Sequence, residues 1–207
     1  MKTDWSKALT PLIRKYKSTR HPLEYKNLYQ LMVMVVLSAQ STDIYINELA
    51  PALFKAFPSM QSLSKASPEN LYPFISKVRN FRNKANWLIK SAKEIGDEKK
   101  LQLDLEHFTA LPGIGVKSAS VILREMGKSA EAVMVDLHTV RVANRFGIVK
   151  TEDPDKIEKE LRKKLPPDKW ESGMAMSFLG REICRPKPLC QVCLMRKVCR
   201  YYLKNKV

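Results

Sequence analysis

Apolar residues recur at intervals of three and four along almost the whole chain, the spacing that gathers them on one stripe of an α-helix. Trp5 to Tyr16 reads as a first amphipathic helix. Leu28 to Ser38 is apolar on every side, which predicts a helix buried within a core. Thr42 to Phe57 follows, with Ser41 or Thr42 as its N-cap, and Ser67-Pro68-Glu69 opens a short helix through Leu71 and Ile75. Asn80 to Ile95 is a longer helix stopped by Gly96. A polar connection over Asp97 to Gln102 leads to a short helix near Glu106 to Ala110, and a helix from Lys117 to Met126 stops at Gly127. Beyond Ala130, helices fit His138 to Phe146, Pro154 to Leu165 and Lys169 to Glu182, while the last 24 residues read as irregular. No stretch alternates polar and apolar positions for long, so the fold class is all-α.

Charge sharpens this picture. Lysine and arginine number 37 against 21 acidic residues, for a net +16. A protein this basic meets a polyanion, because neutralising phosphates releases condensed counterions. Residues 1–20 carry +5 and residues 181–207 carry +7, so +12 of the +16 lies in 47 terminal residues. Two such ends repel each other unless they share a face that meets an anion, and nucleic acid is the expected partner. The longest apolar run, Leu31 to Leu37, is too short to cross a bilayer, and Met1-Lys2-Thr3-Asp4 opens no signal peptide. A cytoplasmic, nucleoid-associated monomer with no membrane partner is the expectation.

The four cysteines, Cys184, Cys190, Cys193 and Cys199, fall within 16 residues at the spacing C-x5-C-x2-C-x5-C. Without an export signal disulfides are a poor reading, and a segment this short can wrap one metal site alone. The residue types leave zinc and a [4Fe–4S] cluster both open. Arg185, Lys187, Arg196 and Lys197 between them stud the loop with phosphate-seeking cations.

In Leu111-Pro112-Gly113-Ile114-Gly115-Val116-Lys117-Ser118-Ala119, two glycines lie just before a helix. They allow a tight turn and let backbone N–H groups approach an anion at the positive helix end. Lys117 sits in the first turn, where the helix dipole disfavours positive charge. Partial burial and nearby cations such as Arg145 or Lys84 lower its pKa further, the condition for an amine nucleophile; pairing with a phosphate is the plainer role. Asp136 follows an apolar run and precedes a helix, placed either to cap that helix or to face a cleft.

These residues resemble endonuclease III, within the helix–hairpin–helix superfamily of base-excision DNA glycosylases. The likeness rests on Leu37-Ser38-Ala39-Gln40-Ser41-Thr42-Asp43, on the Leu111–Ala119 segment, on Val135-Asp136-Leu137-His138 with Arg141-Val142-Ala143-Asn144-Arg145, and on the cysteine tail. It implies a two-domain helical fold. A six-helix barrel over 21–131 holds the helix–hairpin–helix at about 106–127, and 1–20 joins 132–207 in a [4Fe–4S] domain ligated by the four cysteines. Lys117 and Asp136 then meet across a cleft that receives a flipped nucleotide from duplex DNA bearing a damaged base or abasic site. The implied reaction is removal of oxidised pyrimidines through a lysine Schiff base, followed by β-elimination.

Gln40 resembles the glutamine that fills the gap left by the flipped base. Gly113, Gly115, Val116, His138, Arg185 and Lys187 take DNA-contact positions. Where the family has glycine and then a bulky aliphatic wedge, this chain reads Val78-Arg79-Asn80-Phe81, so Arg79 or Phe81 replaces Asn80 as the wedge or the substrate range differs. Val116, Ser120 and Leu137 replace a frequent arginine, asparagine and threonine, and the first cysteine interval is five rather than six. A non-catalytic DNA binder with structural zinc and a glycosylase of altered base specificity are the alternatives.

Overall fold

The computed structural model describes residues 3–97, 99 and 101–205. Lys2 and Lys206 of the basic ends, and Glu98 and Lys100 of the polar connection, lie outside the described residues. Among the described residues there is no strand, and the all-α expectation holds. The chain divides into two compact units, Arg20–Lys128 and Met1–Thr19 with Ser129–Val207.

The 20–128 unit is built around α3 (Leu28–Ser38), which packs against α4 (Asp43–Ala56), α7 (Phe81–Ile95) and α9 (Val116–Glu125). Eight α3 residues, Tyr29 and every residue from Leu31 to Leu37, are buried. Each large one contributes on the order of 1.5–3 kcal/mol of apolar burial. Asn27 starts the helix by accepting the Gln30 N–H at 2.9 Å. Thr42, not Ser41, caps α4 by accepting from the Tyr45 N–H at 3.2 Å. Between α4 and α6 (Pro68–Ile75) lies α5 (Met60–Ser64), a helix missing from the periodicity reading. It is short, and a reciprocal Ser59–Ser62 capping box nucleates it. The unit closes with α8 (Leu105–Ala110), a hairpin, and α9.

In the other unit the expected single helix over Trp5 to Tyr16 is two pieces, α1 (Trp5–Ala8) and α2 (Thr10–Tyr16), interrupted at Leu9. Pro11 is the physical reason, since it has no N–H to continue the ladder. The unit's core pair is α10 (Leu137–Phe146) against α12 (Ser172–Glu182), with α2 on α12 and α13 (Arg200–Asn205) on α10. A Cβ at Gly180 would lie 2.8 Å from His138 Cβ, so glycine is what lets these two helices approach. The Tyr16 hydroxyl donates to Glu182 of α12 and its ring stacks on Phe178 at 5.9 Å. Burial, and then that bond, pushes the Tyr16 pKa above its ordinary value. The remaining helix is α11 (Pro154–Lys164). The tail is less irregular than expected, since α13 forms over Arg200–Asn205. Among the described residues no helix is long and apolar enough to cross a membrane.

Candidate DNA-processing site

The hairpin between α8 and α9 is a tight corner. Ile114 N–H donates to Leu111 C=O at 3.2 Å, and Ile114 and Leu111 anchor it in the core. Its two glycines have different reasons. Gly113 has φ +78, and a Cβ there would lie 2.6 Å from Trp87 Cε3, so both backbone and packing demand glycine. Gly115 is extended at φ −91, and nothing lies within 4 Å of where its Cβ would stand. The tight turn expected of both is thus supplied by Gly113 alone. Gly115 caps α9 without a side chain and leaves open space over the first N–H groups of a ten-residue helix, where an anion is favoured. Val116 and Lys117 follow directly, both exposed.

The partial burial expected of Lys117 is therefore not found: its first-turn position points it outward. Arg145 donates to the Cys184, Arg185 and Pro186 carbonyls, while Lys84 Nζ donates to the Leu37 carbonyl at 2.8 Å and to that of Ala39.

Asp136 is 6% exposed and N-caps α10, its Oδ1 accepting from Thr139 N–H at 2.8 Å. Thr139 Oγ1 lies 3.0 Å from both Asp136 Oδ1 and the Gly173 carbonyl, so its single proton serves one of them. Ser177 Oγ of α12 donates to Oδ2 at 2.6 Å, and Arg181 Nη2 stands 4.0 Å from the same oxygen. Capping and burial, posed as alternatives by the sequence, coexist in one carboxylate. Ser177 escaped sequence reasoning because it lies 41 positions away with no local pattern linking the two. Leu137, the next residue, is 80% exposed. His138 is half-buried, its Nδ1 3.1 Å from Arg141 Nη2.

Gln40 and Asn80 are the two non-glycine residues with positive φ among those described, at 61° and 57°. Both are exposed, as is Arg79. Phe81 is half-buried, set edge-on to Tyr72 at 5.1 Å with the Arg82 guanidinium over its ring.

Residues 33–167 match the family described as HhH-GPD superfamily base excision DNA repair protein. The chain is 33% identical to endonuclease III of Thermotoga maritima over 90% of both chains, and 32% identical to that of Synechocystis over 91% of this chain and 88% of the relative. The chain belongs to the endonuclease III-like HhH-GPD superfamily. A solved trapped covalent endonuclease III–DNA intermediate superposes with a TM-score of 0.82 at 28% identity over all of both chains. A non-covalent endonuclease III–DNA complex gives 0.80, also at 28% identity.

In this endonuclease III-like chain all four cysteines line one pocket with about 310 Å³ of atom-free space, part of it open to solvent. Two arginines of α10 hold the loop. Arg141 donates to the Cys184 and Gly180 carbonyls at 2.9 Å, and Arg145 Nη1 lies 3.3 Å from Cys184 Sγ with its guanidinium over Tyr201. Burial raises the thiol pKa of Cys190, Cys193 and Cys199 above the ordinary value. Among the described residues no three His, Cys, Asp or Glu side chains converge on one ion position. Arg185 and Lys187 are exposed on this loop.

Proposed function

We propose that this protein excises oxidised pyrimidines from duplex DNA and cuts the strand at the abasic site it creates, with Lys117 as nucleophile and Asp136 as proton acceptor. Its superfamily membership makes it a base excision repair glycosylase and abasic-site lyase. The observation that carries the residue assignment is the place of Lys117. An exposed amine stands two positions beyond Gly115, where nothing lies within 4 Å of where a Cβ would stand and the helix N-terminus favours an anion such as a backbone phosphate. A phosphate contact there sets register without reading bases, which suits an amine that acts on the sugar.

As a neutral amine, Lys117 Nζ forms a bond to C1′ of the deoxyribose while the glycosidic bond breaks and its electrons leave with the base. Asp136 carboxylate accepts the proton the nitrogen sheds. Ring opening yields the protonated imine, which acidifies C2′. Loss of that proton expels the 3′ oxygen and cuts the strand. Only an amine can form the imine, which a hydroxyl or water cannot.

The four cysteines would hold a [4Fe–4S] cluster, as their shared pocket supports. When bound, the cluster supplies a rigid tie across residues 184–199. Arg185 and Lys187 then grip DNA phosphates from a fixed frame, and the protein acts as a monomer inside the cell. Val116 and Leu137, exposed apolar residues flanking Lys117 and Asp136, favour a base preference of its own.

Duplexes carrying thymine glycol, dihydrouracil, uracil or mispaired thymine separate these readings. Fastest excision of the two oxidised or reduced pyrimidines supports the proposal, and uracil or mispaired thymine leading would replace it. A yellow-brown preparation containing iron and sulfide is expected, whereas a colourless zinc protein would count against the cluster.

A further inference from the structure

Lys84 is 3% exposed on the inner face of α7, and among the described residues no carboxylate pairs with it. Burial lowers its pKa to about 8. An isolated buried amine is costly, and apolar residues would fill the space more cheaply. Its bonds show what it holds. Nζ donates to the carbonyls of Leu37 and Ala39, either side of the end of α3 and immediately before Gln40. Its backbone N–H donates to the Asn80 carbonyl at 3.1 Å. One residue therefore ties the backbone just before Gln40 to the first turn of α7, whose N-cap position Asn80 occupies, and Gln40 and Asn80 are the two non-glycine positions held left-handed among the described residues. Each such conformation is strained and persists only where its surroundings enforce it.

Neither turn is built to satisfy its own side chain. Asn80 makes no capping bond to α7, and among the described residues neither the Gln40 nor the Asn80 amide has a hydrogen-bond partner. Phe81 is occupied by Tyr72, which leaves Arg79 and Asn80 as the exposed groups of that turn.

We infer that Lys84 is a positioning residue that straps the Gln40 and Asn80 turns into one two-pronged insert, so that both amides enter the gap left by a flipped nucleotide at a set separation. This rests on the reading that these turns fill that gap. Two amides offer hydrogen bonds to the orphaned base where an aliphatic wedge offers contact alone.

The test uses full-length, cluster-loaded protein and a duplex with a tetrahydrofuran abasic analogue opposite 2-aminopurine. The readouts are the fluorescence of that base and the ratio of affinities for the gapped and undamaged duplexes. Lys84→Met is expected to lower the ratio at least tenfold and to abolish the fluorescence change. Added to Gln40→Ala and Asn80→Gly together, it should lower the ratio no further than that double variant alone. Lys84→Gln, which keeps an amide donor, should fall between and decides the matter if the methionine variant does not fold. If Gln40→Ala and Asn80→Gly lower the ratio while folded Lys84 variants leave it unchanged, the strap is overturned. A lower melting temperature with both affinities reduced equally overturns it as well. If Gln40→Ala and Asn80→Gly themselves change nothing, the fault lies with the gap-filling reading.

Discussion

At Asp136 one carboxylate caps α10 and also accepts from Ser177, so its replacement must spare the cap if chemistry is to be read cleanly. Asparagine caps a helix about as well as aspartate. Asp136→Asn is therefore expected to melt within a few degrees of the parent and to retain DNA affinity, while base release falls about 10²–10⁴-fold. Equal loss of binding and excision would remove Asp136 from the chemistry. The hairpin glycines give a second contrast. Gly113→Ala forces a Cβ against Trp87 at positive φ and should cost about 1–3 kcal/mol in a melting experiment. Gly115→Ala meets nothing and should leave the melting temperature alone, yet weaken DNA binding by crowding the phosphate. An undiminished affinity for Gly115→Ala would mean that no phosphate sits there.

Among the elements, α3 coincided with its apolar run because an all-round hydrophobic helix has one place to go. The interruption at Leu9 was legible too, had Pro11 been weighed above the periodicity. Met60–Ser64 was hidden by its shortness, and only the Ser59–Ser62 spacing announced it. The left-handed turn at Gln40 was not legible, because a tertiary hydrogen bond to the preceding Ala39 carbonyl supports it, whereas asparagine at Asn80 is a residue that enters that conformation readily. Lys84, read from sequence as a cation beside Lys117, proves to be a buried link between α3 and α7. Its depressed pKa carries a stability consequence. Below pH 8 it is charged in both states, whereas between about 8 and 10.5 the native protein has shed a proton that the unfolded chain still holds. Stability from this residue therefore rises with pH across that window. The melting temperature of the parent relative to that of Lys84→Met should rise from pH 7.5 to 10, and a flat difference would show that the amine is not desolvated.

For the molecule as a whole, the net charge of +16 makes duplex binding a counterion-release process whose salt slope counts phosphate contacts. Neutralising Arg185 and Lys187 together should flatten the slope of log affinity against log salt by about two and weaken binding alike across sequences. An unchanged slope would take the cysteine loop off the DNA. The superfamily was legible from three ordered motifs and the cysteine spacing. The exposure of Lys117 was not, because a first-turn helix position fixes a direction but not what covers it.

The most direct measurement is borohydride reduction of the cluster-loaded protein with an abasic-site duplex, followed by mapping of the cross-linked peptide by mass spectrometry. The adduct is expected on Lys117 and should vanish in Lys117→Ala that still binds the duplex. A trapped adduct on another lysine, or none with folded and DNA-bound protein, would contradict the central claim.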